Sequence, residues 1–247
     1  MTSIVLVTGA RGGIGRALCA QLHAQGWQIA AVSRDAAGLA DVAAALHIQA
    51  DCTTPEGAAA AMAQCREALG VPTRLAHCVG STLIAPLHRS RADQVREVLR
   101  VNLESALFTL GAWVEAMRTQ GEPAQPGAAV LVSSVVAGIG VANHEAIAAA
   151  KGGIEALVRS AAATYAPQGL RVNAVAPGMT DTPMTAAMLK QPAMREGAGK
   201  QYPLGGVQTA EQVAGVIAWL LSDGADRLTG QVLPVDGGFT RIRPLVR

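Results

Sequence analysis

The sequence predicts an α/β fold: a single doubly wound domain whose parallel sheet of about seven strands carries helices on both faces. Two observations predict it. Short β-branched runs alternate with longer Ala-rich stretches of helical period, which calls for right-handed βαβ crossovers and a sheet buried on both sides. A glycine-rich loop follows the first strand and opens the first helix. Residues 1–247 read as one domain, because no low-complexity linker or shift in composition divides them. Half the residues are apolar and 15% are charged, which supports a large core and excludes a disordered polymer.

The elements follow in order. IVLV predicts a strand over 4–8, and the glycine loop leads into a helix over 13–25. WQIAAVSRD holds a strand over 28–33, with a helix over 36–46 behind it; HIQAD ends a strand over 47–51 that precedes a helix over 55–69. A strand over 74–79 leads to a long helix over 91–119, and the Pro/Gly-rich GEPAQPG is a surface loop before a strand over 128–133. A helix over 145–166, a strand over 170–175, a helix over 209–222 and a strand over 231–235 complete the alternation. Residues 180–206 fit it poorly. They follow the carboxyl end of a strand, where open α/β sheets bind ligands, and read as a lid; a surface excursion without function is the alternative.

The formal net charge of +2 is too small to suggest a nucleic-acid or membrane-surface partner, and the basic end RIRPLVR reads as a solvated or subunit-contacting tail. Cys19, Cys52, Cys65 and Cys78 form no CxxC pair and no zinc-ligand spacing, so no metal is expected and reduced thiols are. There is no basic leader and no stretch approaching the ~20 apolar residues that span a bilayer, which makes a soluble cytoplasmic protein the expectation.

In TGARGGIG, Gly9, Gly13 and Gly15 stand where a tight turn brings backbone close to a pyrophosphate, and the helix N-terminus offers free N–H groups to that anion. With Ile14 in the same loop, this predicts a Rossmann-like dinucleotide site. Ser33 and Arg34 end the second strand, and Arg11 lies in the loop; hydroxyl and guanidinium together suit a 2′-phosphate, so NADP(H) is preferred. Asp35 keeps NAD(H) possible. Asp51, with Cys52 beside it, either holds the adenine amino group or is a turn aspartate.

These residues carry a resemblance to the short-chain dehydrogenase/reductase family, in its classical branch, along essentially the whole chain. TGARGGIG is similar to that family's TGxxxGxG loop; VNLESAL supplies Asn102 and VSSVVAG supplies Ser134 at catalytic positions. RVNAVAPGMTDTPM resembles the stretch that meets the nicotinamide carboxamide, with Pro177, Gly178 and Thr182 matching, and YPLGG through LPVDGG resembles the C-terminal signature. The resemblance implies hydride transfer between NAD(P)(H) and a carbonyl or alcohol, with a tyrosine moving the proton. Serine orients the substrate oxygen, lysine lowers the tyrosine pKa and holds the ribose, and asparagine organises a water. Ser134, Lys151 and Asn102 match. The tyrosine position, 13 residues after Ser134 and four before Lys151, holds Ile147. A second departure is LAHCVGS, where the family has NNAG; Gly80 is retained and leaves room for the dinucleotide.

Losing a positioned general acid costs about 10²–10⁴ in rate, or ~3–5.5 kcal/mol. His144 shares a helical face with Ile147 and Lys151 and is a candidate proton shuttle or a capping residue. Tyr202 in the lid, or a relay through Lys151, water and Asn102, are alternatives; Tyr165 reads as packing, and Ile147 as lining for an apolar substrate. Three readings stay open: an oxidoreductase with an atypical proton donor, a catalytically silent dinucleotide-binding sensor or oligomer partner, and a scaffold that binds neither. The substrate pocket is expected near Leu83, Ile139, Val141 and 184–202. The apolar girth of 91–119 and 145–166, with the resemblance, points to a homotetramer or homodimer.

Overall fold

The computed structural model describes residues 3–120 and 125–243. The first four residues of GEPAQPG and the last four of the basic tail lie outside the described residues. The chain runs β1 (Ile4–Thr8), α1 (Gly13–Ala24), β2 (Gln28–Ser33), β3 (Leu46–Gln49), α2 (Pro55–Ala68), β4 (Arg74–His77), α3 (Ala92–Leu99) and α4 (Ser105–Arg118). It continues through β5 (Gly127–Val132), α5 (Glu145–Tyr165), β6 (Leu170–Pro177), β7 (Thr180–Asp181), α6 (Ala186–Leu189) and α7 (Pro192–Gly199). It closes with β8 (Gln208–Thr209), α8 (Ala210–Leu221) and β9 (Val232–Val235). Seven strands form one parallel sheet in the order β3-β2-β1-β4-β5-β6-β9, with β7 and β8 paired apart from it. The order reverses between β1 and β4, which opens a crevice at their carboxyl ends.

Alternate residues of each strand feed two cores. Leu6, Val32, Leu75 and Leu131 pack under α2, α4 and α5, around Trp113, whose indole N–H donates to the Pro72 carbonyl at 2.8 Å. Val5, Val7, Ile29 and Val130 pack on the other side, under α1 and α8. Burial on both faces is why β1, β2 and β5 read as nearly unbroken apolar runs. Two arginines close the end of the sheet opposite the crevice. Arg74 donates to the carbonyls of Leu221 (2.8 Å) and Pro126 (3.0 Å), and Arg171 to those of Leu220 (2.9 Å) and Ser222 (3.0 Å), so both cations sit on the carboxyl end of α8. Arg74→Met leaves buried carbonyls without donors and is expected to cost about 2 kcal/mol, read as a lower denaturant midpoint at unchanged slope.

Two expected elements are corrected. Residues 36–46 form turns, not a helix. Gly38 adopts φ +70°, Asp35 accepts from the Ala37 N–H, and Arg16 donates to the Gly38 carbonyl. Leu39 and Val42 are buried under α1 and α8, and their spacing of three imitates a helical face. The expected helix over 91–119 is interrupted by a π turn over Arg100–Glu104, where the Ser105 hydroxyl donates to the Val101 carbonyl at 2.6 Å. The strands foreseen at 47–51 and 74–79 end at Gln49 and His77. Among the described residues, no helix is long and apolar enough to cross a membrane.

Candidate active site

A cavity of about 420 Å³ occupies the crevice. Its floor is the start of α1, where Gly12, Gly13, Ile14 and Gly15 line it. No side chain caps α1 and its first turn holds no acid, so the first-turn N–H groups are free to meet an anion. Gly9, outside the cavity, shapes this turn. Its φ is +67°, and a Cβ there would lie 2.6 Å from the Cys78 carbonyl group. A Cβ on Gly13 would lie 2.7 Å from Thr182 and 3.2 Å from Pro183, so these two residues sit directly over the loop. The cradle of backbone donors and missing side chains fits a dinucleotide diphosphate.

The residues foreseen for the adenosine end stand in the loop after β1 and at or just past the ends of β2 and β3, outside the cavity proper. Arg34 is exposed, while Arg11 is paired with Asp35 at 2.6 Å and donates to the Ala37 carbonyl at 3.2 Å. Ser33 is buried, and its Oγ accepts from the Asp35 N–H at 3.2 Å. Asp51 caps its own turn: one carboxyl oxygen accepts from the Thr53 N–H (3.0 Å) and hydroxyl (2.7 Å). Burial raises the Asp51 carboxyl, but Thr53 together with Arg34 and Arg100 outweighs burial and leaves it below the usual carboxylate range. The Cys52 thiol is buried beside Thr109, and burial pushes it up to about 11; it faces the core, leaving only backbone for a ligand.

Beyond the diphosphate cradle, Ser134, His144, Ile147 and Lys151 share the cavity wall. Ser134 caps a single 3-10 turn, and its Oγ accepts from the Val136 N–H at 3.4 Å, which leaves its own proton to give. Lys151 Nζ is buried and donates to the Val132 carbonyl at 2.7 Å; burial lowers its pKa to about 8. Gly80 stands against it, since a Cβ there would lie 3.6 Å from Nζ and 3.2 Å from Asn102 Oδ1. Asn102 does not reach the cavity. It is wholly buried in the π turn, donates to Ser81 Oγ (3.1 Å) and the Val98 carbonyl (2.9 Å), and accepts from the Ser81 N–H (3.3 Å). Its side chain therefore fixes the 80–81 backbone. His144 is the N-cap of α5, yet its ring caps nothing; Nδ1 donates to the Ala142 carbonyl at 2.7 Å. Ile147 is only 4% exposed and packs with Val98, Ala146 and Ala150 while touching the cavity.

Pro177 and Gly178 end β6 on the opposite wall, which continues through Met179 and Thr182. Tyr202 folds back onto this segment: its phenol oxygen accepts from the Met179 N–H at 2.6 Å, and its ring packs against Phe239. Tyr165 packs against the core, apart from the cavity. Of the expected pocket residues, Val141 and, from 184–202, Met184, Thr185, Met188, Gln201 and Tyr202 line the cavity; Ile139 does not, and Leu83 turns into the Ile147 cluster while its neighbour Ile84 lines instead.

The LAHCVGS segment makes hydrogen bonds of its own. His77 accepts at Nδ1 from the Thr8 hydroxyl (2.8 Å) and faces Ser105 Oγ (3.0 Å) through Nε2. Because the Ser105 proton goes to the Val101 carbonyl, Nε2 carries the ring proton. A neutral imidazole thus ties β1 and β4 to the π turn that holds Asn102.

A family model described as enoyl-(acyl carrier protein) reductase matches residues 9–240. The chain is 36% identical to cis-4-hydroxycyclohexanecarboxylate dehydrogenase of Sinomonas cyclohexanicum, over 97% of both proteins. It is 34% identical to a 3-oxoacyl-(acyl-carrier-protein) reductase of Pseudomonas aeruginosa, over 96% of both. Among solved structures, aldohexose dehydrogenase of Thermoplasma acidophilum superposes with a TM-score of 0.90 at 27% identity, covering 100% of this chain and 97% of that one. An oxidoreductase of the short-chain dehydrogenase/reductase family from Burkholderia thailandensis gives 0.87 at 32% identity, covering 97% and 93%. Matched along nearly its whole length, the chain belongs to the short-chain dehydrogenase/reductase family of oxidoreductases.

Proposed function

We propose that the protein is an NADP(H)-preferring oxidoreductase acting on a small or medium apolar carbonyl or alcohol, with a proton source other than residue 147. One observation carries this reading: a single cavity joins the uncapped start of α1 to Ser134 and Lys151. When bound, the dinucleotide supplies or accepts the hydride. The N–H groups of Gly13, Ile14 and Gly15 take its diphosphate, and Ser134 gives its free proton as a hydrogen bond to the substrate oxygen. Ile84, Val141, Ile147, Met184 and Met188 make the remaining wall apolar, which favours a substrate without a charged group near the reacting carbon.

The preference for NADP(H) over NAD(H) rests on exposed Arg34 beside Ser33, with Asp35 occupied by Arg11. Arg34→Ala is expected to weaken NADPH binding about tenfold while changing NADH binding less than about twofold, read by fluorescence titration. Equal losses for both would return the choice to NAD(H).

A second reading, a silent dinucleotide-binding protein, draws on the burial of Ile147 and the full commitment of Asn102. Binding of NADPH without its oxidation by a broad panel of ketones, aldehydes and enones would favour it. The protein is further proposed to work in the cytoplasm as a homotetramer or homodimer, with small molecules rather than nucleic acid or membrane as partners. Leu107 on α4 and Trp219 on α8 are exposed apolar side chains that association would cover.

A further inference from the structure

We propose that Lys151 is itself the acid that protonates the substrate oxygen in carbonyl reduction, and the base that deprotonates the alcohol in the reverse direction. The proposal rests on the oxidoreductase reading above and names the proton source that reading leaves open.

Position is the first ground. Lys151 lines the cavity that Ser134 also lines, and its Nζ makes one hydrogen bond among the described residues, to the Val132 carbonyl. An ammonium has three N–H bonds, so two remain, one for the ribose that the resemblance assigns to this lysine and one for a substrate or a water. The missing side chain of Gly80 keeps the approach beside Nζ clear. Ile147, one helical turn before Lys151, offers no phenol to stand between the amine and the substrate oxygen.

The second ground is the lack of a counter-charge. The titratable groups that face Nζ from β4 and its end are His77 and Cys78, and burial keeps both neutral: the imidazole falls to about 3 and the thiol rises to about 12. On α5 itself, Glu155 accepts from the Ser133 hydroxyl at 3.1 Å, and His144 sits at the helix start. A buried ammonium without an anion gives up its proton more readily than one in water.

The third ground is that the other candidates are committed elsewhere or hold their protons more tightly. Asn102 has both amide hydrogens and its oxygen engaged, away from the cavity. Tyr202 keeps its O–H proton, since its oxygen accepts from the Met179 N–H, but it stands against Gly178 on the opposite wall, and burial raises its pKa and makes it the poorer acid. His144 donates from Nδ1 to a carbonyl, so in its neutral form Nε2 bears no proton to give.

The step balances simply. Hydride adds to the carbonyl carbon, the π pair moves to oxygen, and that oxygen takes a proton from Nζ. The amine left behind keeps its bond to Val132 and is reprotonated by water. In alcohol oxidation the neutral amine takes the hydroxyl proton as hydride leaves.

Lys151→Arg keeps the cation but not a releasable proton. It is expected to bind NADPH within about fivefold of the parent while carbonyl reduction falls at least roughly a hundredfold. Adding Ile147→Tyr to that variant supplies a proton and is expected to restore at least roughly tenfold. In the parent, the rate of reduction falls above about pH 8 and that of alcohol oxidation rises up to it, since the first needs the ammonium and the second the amine. Competitive acetylation read by mass spectrometry gives an independent measure: Lys151 reactivity should reach half its maximum near pH 8, against ~10.4 for a lysine model peptide.

A Lys151→Arg enzyme that still reduces carbonyls within about threefold of the parent overturns the proposal and leaves the oxidoreductase reading standing. So does an acetylation midpoint near that of the model peptide, or a His144→Asn loss larger than that of Lys151→Arg. A parent protein that binds NADPH and turns nothing over overturns both.

Discussion

Ile147→Tyr is expected to raise kcat/KM for carbonyl reduction by about 10²–10⁴-fold, equivalent to ~3–5.5 kcal/mol of barrier. The substituted side chain starts one turn before Lys151 on α5, in a residue that already touches the cavity. A phenol there meets a buried ammonium, which favours phenolate and makes the hydroxyl a better acid, with the Ser134 proton available to the same substrate oxygen. The gain falls at the low end of the range if Lys151 already gives the proton and at the high end if the parent is silent. Extra bulk beside Val98, Ala146 and Ala150 is expected to cost about 1–3 kcal/mol of stability. Kinetics on a ketone and aldehyde panel, with NADPH titration and thermal unfolding of both proteins, measure each part. A variant that folds and binds NADPH, yet gains less than about tenfold, would show that hydride and carbonyl are not aligned in this cavity.

The inner strands β1, β2 and β5 were legible because a sheet buried on both faces writes them as apolar runs. In contrast, β3, with only Ile48 buried, and β9, with no residue fully buried, were legible from their place in the alternation with helices. The glycine loop was legible for a similar reason: Gly9 and Gly15 answer to contacts within the turn and with β4, and the turn sits at a strand–helix junction. Residues 36–46 misled because Leu39 and Val42 are spaced as on a helix while Gly38 takes a left-handed φ, and spacing alone does not report φ. The π turn was hidden too, because Ser105 bonds back to Val101 within a pattern that stays helical on either side.

The candidate site divides along the same line. Residue types at fixed offsets on one element, such as Ile147 and Lys151, can be placed from sequence. What each side chain is bonded to cannot. Asn102 is spent on Ser81, which is 21 residues away, and the Tyr202 oxygen accepts from Met179, 23 residues away. The absence of the usual segment at 77–79 was visible, whereas its replacement by a Thr8–His77–Ser105 chain needed the three-dimensional arrangement.

That chain also sets how the fold answers to acid. His77 is 1% exposed and its pKa is lowered to about 3, first by burial and then by the Lys151 charge. In the unfolded chain a histidine titrates near ~6.5. Between these values the unfolded state binds a proton that the folded state refuses. The contribution of His77 is therefore complete above about pH 6.5 and declines by ~1.4 kcal/mol per unit as pH falls toward 3, for a total of about 4–5 kcal/mol. From pH 7 to pH 5 the parent should lose about 2 kcal/mol more than His77→Asn does, read from denaturant unfolding at both values. Asparagine keeps a donor and an acceptor for Ser105 and Thr8 but cannot take up a proton in this range. Parallel losses in the two proteins would place the acid sensitivity elsewhere. The chemistry of the triad gives the reason for expecting otherwise: Ser105 needs a donor and Thr8 an acceptor, which the neutral ring supplies in full. A second ring proton would bring an unpaired charge into the sheet, facing the ammonium of Lys151.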